Sequence, residues 1–230
     1  PYIVYRDIDN SFEATVMKFN GTAWQNVGLI GFSAGHADSP SIDIDNNGTP
    51  YVGFKDVANG SRTTVMKFDG TAWQNEGMTG FSSEQVYDVN IALDNSGTPY
   101  ISYQEDNNGS KANVMKFNGT TWQNVLTAGA FSVGSAGKPS LALDNNGTPY
   151  IAYLDGTGSN RITVMNLRAP EVSSTSTYEV KTQGRYIVSS SGTCNTFASD
   201  TISVLLNTDP PIAIAQNITV NLDAIGNATI

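Results

Sequence analysis

The chain has 230 residues, of which 12 are basic and 21 acidic, for a formal net charge of −9. That balance offers no cationic footprint for nucleic acid. The single cysteine, Cys194, has no partner for a disulfide within the chain. No apolar run approaches the ~20 residues of a membrane helix, so no membrane insertion is expected. Pro1 opens a strand-like run with neither a charged leader nor an apolar signal core ahead of it, and the chain reads as an interior piece of something longer. Charged residues make up only 14%, with 22 glycines and many aromatic and β-branched residues, a composition that points to β structure with many turns.

An internal repeat fixes the architecture more firmly than propensity can. Pro-Tyr pairs begin at Pro1, Pro50, Pro99 and Pro149, and tryptophans recur at Trp24, Trp73 and Trp122. Set against residues 50–98 without gaps, residues 1–49 are identical at 24 of 49 positions, far beyond chance. The units are 1–49, 50–98, 99–148 and a partial 149–167.

Within one unit, four extended runs are predicted in order: Pro40 to Asp45, Pro50 to Lys55, Thr63 to Phe68 and Thr71 to Glu76. Asn46-Asn47-Gly48-Thr49 joins the first two and Asp69-Gly70 the last two, both turn chemistries that accept positive φ cheaply. A short loop rich in Asn, Gly and Ser links the middle pair, so the four runs form one antiparallel meander. About ten residues through Gly-Phe-Ser then lead to the next unit, a length suited to crossing into a neighbouring sheet. Four strands per ~40 to 50 residues, repeated, is the pattern of β-propeller blades, whereas solenoid coils are shorter. The second runs, Tyr51-Val52-Gly53-Phe54, Tyr100-Ile101-Ser102-Tyr103 and Tyr150-Ile151-Ala152-Tyr153, are apolar on both faces with a small residue where sheets crowd. The repeated Tyr, Met, Phe and Trp residues are therefore read as core rather than as sugar-stacking platforms.

The hairpin Leu93-Asp94-Asn95-Ser96-Gly97-Thr98-Pro99-Tyr100-Ile101 resembles that of NHL-type and related secreted bacterial propeller repeats, and Phe19-Asn20-Gly21-Thr22-Ala23-Trp24 resembles their outer hairpin. The resemblance covers residues 1 to about 167 and implies a propeller fold without implying an activity. It differs from the sialidase Asp-box, because here Asp and Gly are three apart and proline precedes the aromatic.

Composition changes near Arg168. All five methionines and all three tryptophans precede it, and 17 of the 62 residues from Ala169 on are Ser or Thr, so a domain boundary is expected there. Strands are predicted at Thr177 to Val180, Gly184 to Val188 and Asp200 to Val204. Residues 168–208 resemble part of an Ig-like module of large bacterial surface proteins, with Cys194 in a turn. Residues 209–230 resemble the start of a hyalin-repeat (HYR) module, whose Asn-Ile-Thr-Val strand falls at 217 onward; where such modules carry a cysteine this chain has Ala215. The expected fold class is thus all-β, with about 3.5 four-stranded antiparallel blades of a partial propeller followed by a β-sandwich-like segment.

For chemistry, Asp43-x-Asp45-Asn46-Asn47-Gly48 has the oxygens of a calcium loop, but Ala92 and Ala142 stand at the positions matching Asp43, so turn capping is the reading preferred and no cofactor is assigned. The loops after the second runs carry more oxygen, as in Asp7, Asp9, Asn10 and Glu13. With one histidine, His36, histidine-based triads and His-rich metal sites are not expected, and no Gly-rich phosphate loop precedes a helix. Comparing the copies separates constant scaffold from variable surface. The crossing loops differ most, so His36, Asp38, Glu84, Tyr87, Asp88 and Lys138 are the candidate ligand-binding residues. These readings describe a non-catalytic binding or adhesion module of a secreted or cell-surface bacterial protein that presents propeller loops to an extracellular glycan or protein. The alternatives are the propeller domain or accessory part of a secreted carbohydrate-active hydrolase or lyase, and a pure spacer. Open sheet edges are expected to promote association.

Overall fold

The computed structural model describes residues 1–166 except 108, 127–130, 133 and 157–160, and beyond them the backbone of residues 184–189, 199–204, 221–222 and 228–229. The chain divides into two units, Pro1–Leu167 and Arg168–Ile230.

The first unit is a series of antiparallel meanders. Sheet I holds β1 (Tyr2–Asp7), β2 (Glu13–Phe19) and β3 (Trp24–Asn26). Sheet II holds β4 (Ala37–Ile44), β5 (Pro50–Asp56), β6 (Arg62–Phe68) and β7 (Trp73–Asn75), and sheet III holds β8 (Val86–Leu93), β9 (Pro99–Glu105), β10 (Lys111–Phe117) and β11 (Trp122–Asn124). Sheet IV holds β12 (Ala136–Leu143), β13 (Pro149–Asp155) and β14 (Arg161–Asn166). The inner strands β4, β8 and β12 lie beside one another. The result is an open, all-β partial propeller.

The hairpin turns behave as their sequences dictate. Asp69 Oδ1 accepts from the N–H groups of Thr71 and Ala72, each at 2.8 Å, and Asn20 and Asn118 make the same pair of contacts in their copies. Those N–H donors, foremost Ala72, hold the Asp69 carboxyl below the usual carboxylate range.

Each interface between sheets has its own buried cluster. Between sheets I and II these include Val16, Val52, Phe54 and Trp73; between II and III, Val65, Ile91, Ile101 and Trp122; between III and IV, Val114, Leu141, Ile151 and Tyr153. The tryptophans act as clamps. Trp73 Nε1 donates to Val27 O at 2.8 Å and its ring stacks on Phe32 at 4.1 Å; Trp122 Nε1 donates to Glu76 O at 2.8 Å and stacks on Phe81 at 4.5 Å. Gly28, with φ +73°, must lack a side chain, because a Cβ there would lie 2.7 Å from Phe68 Cε2 and 3.1 Å from the Trp73 ring. The structural reading of Trp73 and Trp122 therefore holds, while Trp24 on sheet I is 46% exposed.

Two local differences from expectation matter below. The inner strands start three residues earlier than the predicted Pro40, at Ala37, because a β-bulge lets pairing continue past the proline: Asp38 pairs Lys55 and Ser41 pairs Gly53, three residues against two. The same register shift recurs between Tyr87 and Asn90 and between Gly137 and Ser140. The outermost strands are three residues long, shorter than predicted.

In the second unit, β15 (Gly184–Ser189) pairs antiparallel with β16 (Ser199–Val204), on two of the three predicted strands, and β17 (Asn221–Leu222) pairs with β18 (Ala228–Thr229). The predicted strand at 177–180, Cys194 and Ala215 lie outside the described residues. Among the described residues no helix is long and apolar enough to cross a membrane.

Three substitutions test this packing. Trp122→Ala should destabilise by about 3–5 kcal/mol in denaturant unfolding. Gly53→Ala, whose Cβ would run into Ile101 Cδ1, should cost about 1–3 kcal/mol. Ser102, fully buried with no partner for its hydroxyl among the described residues, should tolerate alanine, the residue Ala152 already supplies in the next copy, with no loss or a gain of up to about 1 kcal/mol. For Asp69 the sign is fixed by the lowered carboxyl: its contribution is present above the unfolded pKa and is lost as pH falls through the folded one. Relative to the parent, Asp69→Asn should thus gain in urea unfolding as the solution is acidified from neutral pH.

Candidate functional site

The loops that connect sheets are pinned from below by recurring buried polar groups. Asp7 Oδ2 accepts from Thr15 Oγ1 at 3.0 Å and Asn10 Nδ2 at 3.0 Å, and Asp56 Oδ2 accepts from Thr64 Oγ1 and Asn59 Nδ2, both at 2.8 Å. Glu105 takes the same place in sheet III, accepting from Asn113 Nδ2 at 3.0 Å and from Ser83 Oγ. The threonines in turn accept from Gly31 N and Gly80 N, each at 2.9 Å. The serine of each Gly-Phe-Ser type motif also ties its loop down: Ser33, Ser82 and Ser132 accept from Ala14 N, Thr63 N and Ala112 N and donate to the carbonyls of Gly35, Glu84 and Gly134. These carboxylates are spent on protein donors. So are the two of the Asp43 to Gly48 hairpin: Asp43 accepts from Ile44 N and Leu93 N, each at 2.8 Å, and Asp45 from Asn47 N at 2.9 Å and Thr49 N at 2.8 Å. Among the described residues no group of three His, Cys, Asp or Glu side chains is placed to hold a metal.

On this rigid base, the structure places the six sequence candidates as follows. His36 closes a crossing loop and Glu84 lies within one, but Asp38, Tyr87, Asp88 and Lys138 are strand residues of β4, β8 and β12, a correction to their reading as loop residues. They fall at the bulge, where Ser39, Asp88 and Lys138 occupy one repeated position with φ of 47°, 52° and 50°. Positive φ is costly for side chains other than Gly, Asn and Asp, so a lysine there is held by the surrounding pairing. Together these positions on neighbouring inner strands form an inner rim, and Lys138 N donates to Asp88 Oδ2 at 3.3 Å across sheets III and IV.

A single contact across sheets recurs here with changing chemistry. Asp38 on β4 reaches back to β1, where Arg6 NH1 lies 2.6 Å from its Oδ1. One repeat later Tyr87 on β8 reaches back to β5, where Lys55 Nζ lies 4.4 Å from the ring centroid. In the third copy the matching residues are Gly137 and Gln104, and the inner position has no side chain. The first of these contacts is part of a cluster. His36 Nε2 is 3.0 Å from the same Asp38 oxygen, its ring lies 5.1 Å from that of Phe12, and Arg6 sits 5.2 Å over Phe12. Phe12 has φ 63°, at the position where the other copies have Ser61 and Ser110, also at positive φ. Glu84 lies apart from this rim, in a shallow groove of about 480 Å³ with Asn59, Arg62 and Gln85.

The structure therefore brings His36 and Asp38 together and links Asp88 to Lys138, sets Tyr87 against Lys55, and leaves Glu84 in the groove with Asn59, Arg62 and Gln85. Arg6, Phe12, Lys55 and Arg62 were missed from sequence. Phe12 carried a usable signal, a bulky aromatic where both other copies have serine. Arg6 and Lys55 carried one only in their shared separation of 32 residues from Asp38 and Tyr87.

No family model matches the sequence, and no curated protein matches it. Solved structures similar to the chain include a protein of unknown function from Dyadobacter fermentans (12% identity, TM-score 0.49, covering 72% of this chain and 48% of that one). A fucose lectin from Kordia zhangzhouensis in complex with methyl-fucoside is 16% identical (TM-score 0.38, 54% and 87% coverage), and an exo-beta-1,3-galactanase from Clostridium thermocellum 15% (TM-score 0.46, 72% and 42%). The chain thus spans about half the length of the Dyadobacter protein and less of the galactanase. The functional reading that follows rests on this chain's own residues.

The rim makes a stability prediction. Lys138→Gly removes the left-handed penalty and should leave unfolding free energy unchanged or raised by up to about 1 kcal/mol. Arg6→Ala, which opens an exposed ion pair, should cost no more than about 1 kcal/mol. Both are read by urea titration, and a larger loss from either would mean that the rim is part of the core.

Proposed function

We propose that the chain is a non-catalytic glycan-binding module, and that the inner rim formed by Arg6, Phe12, His36, Asp38, Lys55 and Tyr87 is its binding surface. The observation that supports this reading is the recurrent cross-sheet contact: one frame position carries an ion pair in one copy, a lysine over a tyrosine in the next and nothing in the third. The surrounding strands, hairpins and clamps stay nearly constant.

Half-exposed aromatic rings beside paired charges suit a sugar. Phe12 and Tyr87, 38% and 39% exposed, offer flat apolar surface to the C–H face of a pyranose. The Asp38 carboxylate, the Arg6 guanidinium and the Lys55 ammonium offer charge-assisted hydrogen bonds to its hydroxyls. The frame is fixed by buried polar anchors, so little ordering is required on binding. In this reading the second unit, with its proposed Ig-like and HYR-like segments, spaces the module within a secreted or cell-surface protein.

The test is a glycan array probed with the whole chain, combined with chromogenic glycosides as substrates. Binding without turnover is expected. For the best glycan, Tyr87→Ala or Asp38→Ala should weaken binding at least tenfold while leaving the urea midpoint within the error of the parent. Turnover of the glycosides, or retention of a protein but no glycan, would overturn the reading.

A further inference from the structure

We infer that the groove of about 480 Å³ that holds Glu84 is a second ligand site, separate from the rim, and that it takes a hexuronate, the acidic residue of a saccharide. The carboxylate of the sugar lies over Gly80 beside the Arg62 guanidinium, and its hydroxyls meet Glu84, Thr79 and Gln85. One wall is the loop from β5 to β6 and the other is the chain crossing from β7 to β8, so both are interior to the chain, with sheet I on one side and sheet III on the other. The volume lies within the ~300–1,000 Å³ of small-molecule sites. Three features point to the same occupant.

The first is a pair of opposite charges that share the groove without closing on each other. Arg62 and Glu84 both line it, and neither has an ion pair among the described residues. Elsewhere on the surface such charges do close, Arg6 on Asp38 at 2.6 Å and Lys67 on Glu76 at 2.8 Å. An open guanidinium offers two parallel N–H donors, the match of a carboxylate. Ionised Glu84 is an acceptor only, so the group it takes must donate, as a hydroxyl does. The same carboxylate, on a chain of net charge −9, repels a phosphate dianion or a second acidic group. One carboxylate among several hydroxyls is the composition of a hexuronate.

The second is the floor. Gly31 and Gly80 hold the same place in successive repeats, each against an asparagine, Asn10 or Asn59. In the first copy the chain lays its own carboxylate there: Glu13 Oε2 lies 2.6 Å from the point that a Cβ on Gly31 would occupy. In the second copy the matching residue is Arg62. The atoms nearest the same point over Gly80 are Asn59 Cβ and O at 3.0 Å and Arg62 Cβ at 3.6 Å, with the guanidinium farther off. Glu13 thus marks where a carboxylate sits, and arginine in its place both vacates the seat and supplies the counter-charge.

The third is that the hydroxyl and the acceptor stand together only in this copy, on walls that are held in place. In the sequence, Thr79 and Glu84 correspond to Ile30 and Gly35 in the copy before and to Gly129 and Gly134 in the copy after. The backbone that carries them is pinned: Gly80 N donates to Thr64 Oγ1 at 2.9 Å, Asn59 Nδ2 to Asp56 Oδ2 at 2.8 Å, Ser82 Oγ to Glu84 O at 2.8 Å and Val86 N to Ser61 O at 3.0 Å. A variable polar lining on a fixed frame is the arrangement of a recognition site, and it requires little ordering on binding.

The test follows the backbone amides and the Arg62 side chain of the isotope-labelled whole chain by NMR while methyl glucuronide is added. Saturable shifts at Gly80, Glu84, Gln85 and Arg62 Nε are expected, with methyl glucoside and acetate each binding at least tenfold more weakly. Arg62→Glu returns to this copy the residue that covers the floor in the first, and should abolish the shifts. Arg62→Lys, which keeps the charge without the paired donors, should weaken binding severalfold, and Thr79→Ile should weaken the glucuronide more than acetate. Each of these residues already stands at the matching position of another copy, as Glu13, Lys111 or Ile30, and an unchanged urea midpoint checks that the fold is kept. No saturable shift, equal binding by the glucoside, acetate or an acetylated glutamyl peptide, or shifts confined to Lys55 and Tyr87, would overturn the inference. The groove and rim signals are read separately, so failure here leaves the rim reading standing, and failure of the rim leaves this one standing.

Discussion

The first unit depends on one interaction made twice: an indole that reaches out of the short outer strand of one sheet and closes on the chain leaving the sheet before it. The clamp needs three things together. An indole N–H must find a carbonyl inside an apolar contact, an aromatic ring from the crossing loop must lie flat on the indole, and the residue after or near that carbonyl must have no side chain. Val27, Gly28 and Phe32 satisfy these for Trp73, and Glu76, Gly77 and Phe81 do so for Trp122. A buried indole whose N–H went unpaired would cost more than the stack returns, which explains why the carbonyl, the glycine and the phenylalanine travel together through the repeat.

The clamp fixes the outer part of each sheet, and the inner part is fixed by a different chemistry. Near the inner strands the sheets crowd, the facing residues shrink to Gly53, Ser102 and Ala152, and contact between sheets passes to side-chain caps on backbone N–H groups, through Ser41, Asp43 and Asn90. Because those caps are polar and directional, they set the register of one inner strand against the next. The bulge is tolerated in this setting: it sits just before the capped stretch, where the strand can absorb an extra residue without disturbing the row of caps. The positive φ of Ser39, Asp88 and Lys138 is the local cost of that arrangement, and the side chains beside it, Asp38, Tyr87 and Asp88, reach the neighbouring sheet.

Much of this was legible in the sequence because it is repeated. The period located the sheets, the Asn-Gly and Asp-Gly pairs located the hairpins, and the small residue in each second strand located the crowded face. What was not legible depends on contacts between units rather than within them. Pro40 and Pro139 suggest the start of a strand, and the polar residues ahead of them suggest a loop, since proline removes a ladder donor; only the paired partner Lys55 shows that Asp38 is already in the sheet. Arg6 and Lys55 look like ordinary solvated strand residues until the next inner strand is seen to reach back over them. The strands of the tail were read from alternating patterns, and β15 and β16 pair in antiparallel register at two of those patterns.

A repeat makes an economical frame for recognition because scaffold and surface are carried by different positions of the same unit. The clamp residues, Trp73 and Trp122 with Gly28 and Gly77 and with Phe32 and Phe81, are the same in both copies because each must match the neighbouring sheet, so a change at any one of them must be answered there. The position shared by Asp38 and Tyr87 faces position 6 or 55 of the sheet before it, and that partner is itself exposed or half-exposed. Two coupled surface positions can therefore change from an ion pair to a cation over a ring without cost to the clamp behind them. The same separation explains why Phe12 can replace a serine at a left-handed position: the backbone there is fixed by Phe12 N donating to Asp7 O at 2.8 Å and by the buried Asp7 beneath it, so the side chain is free to serve the surface.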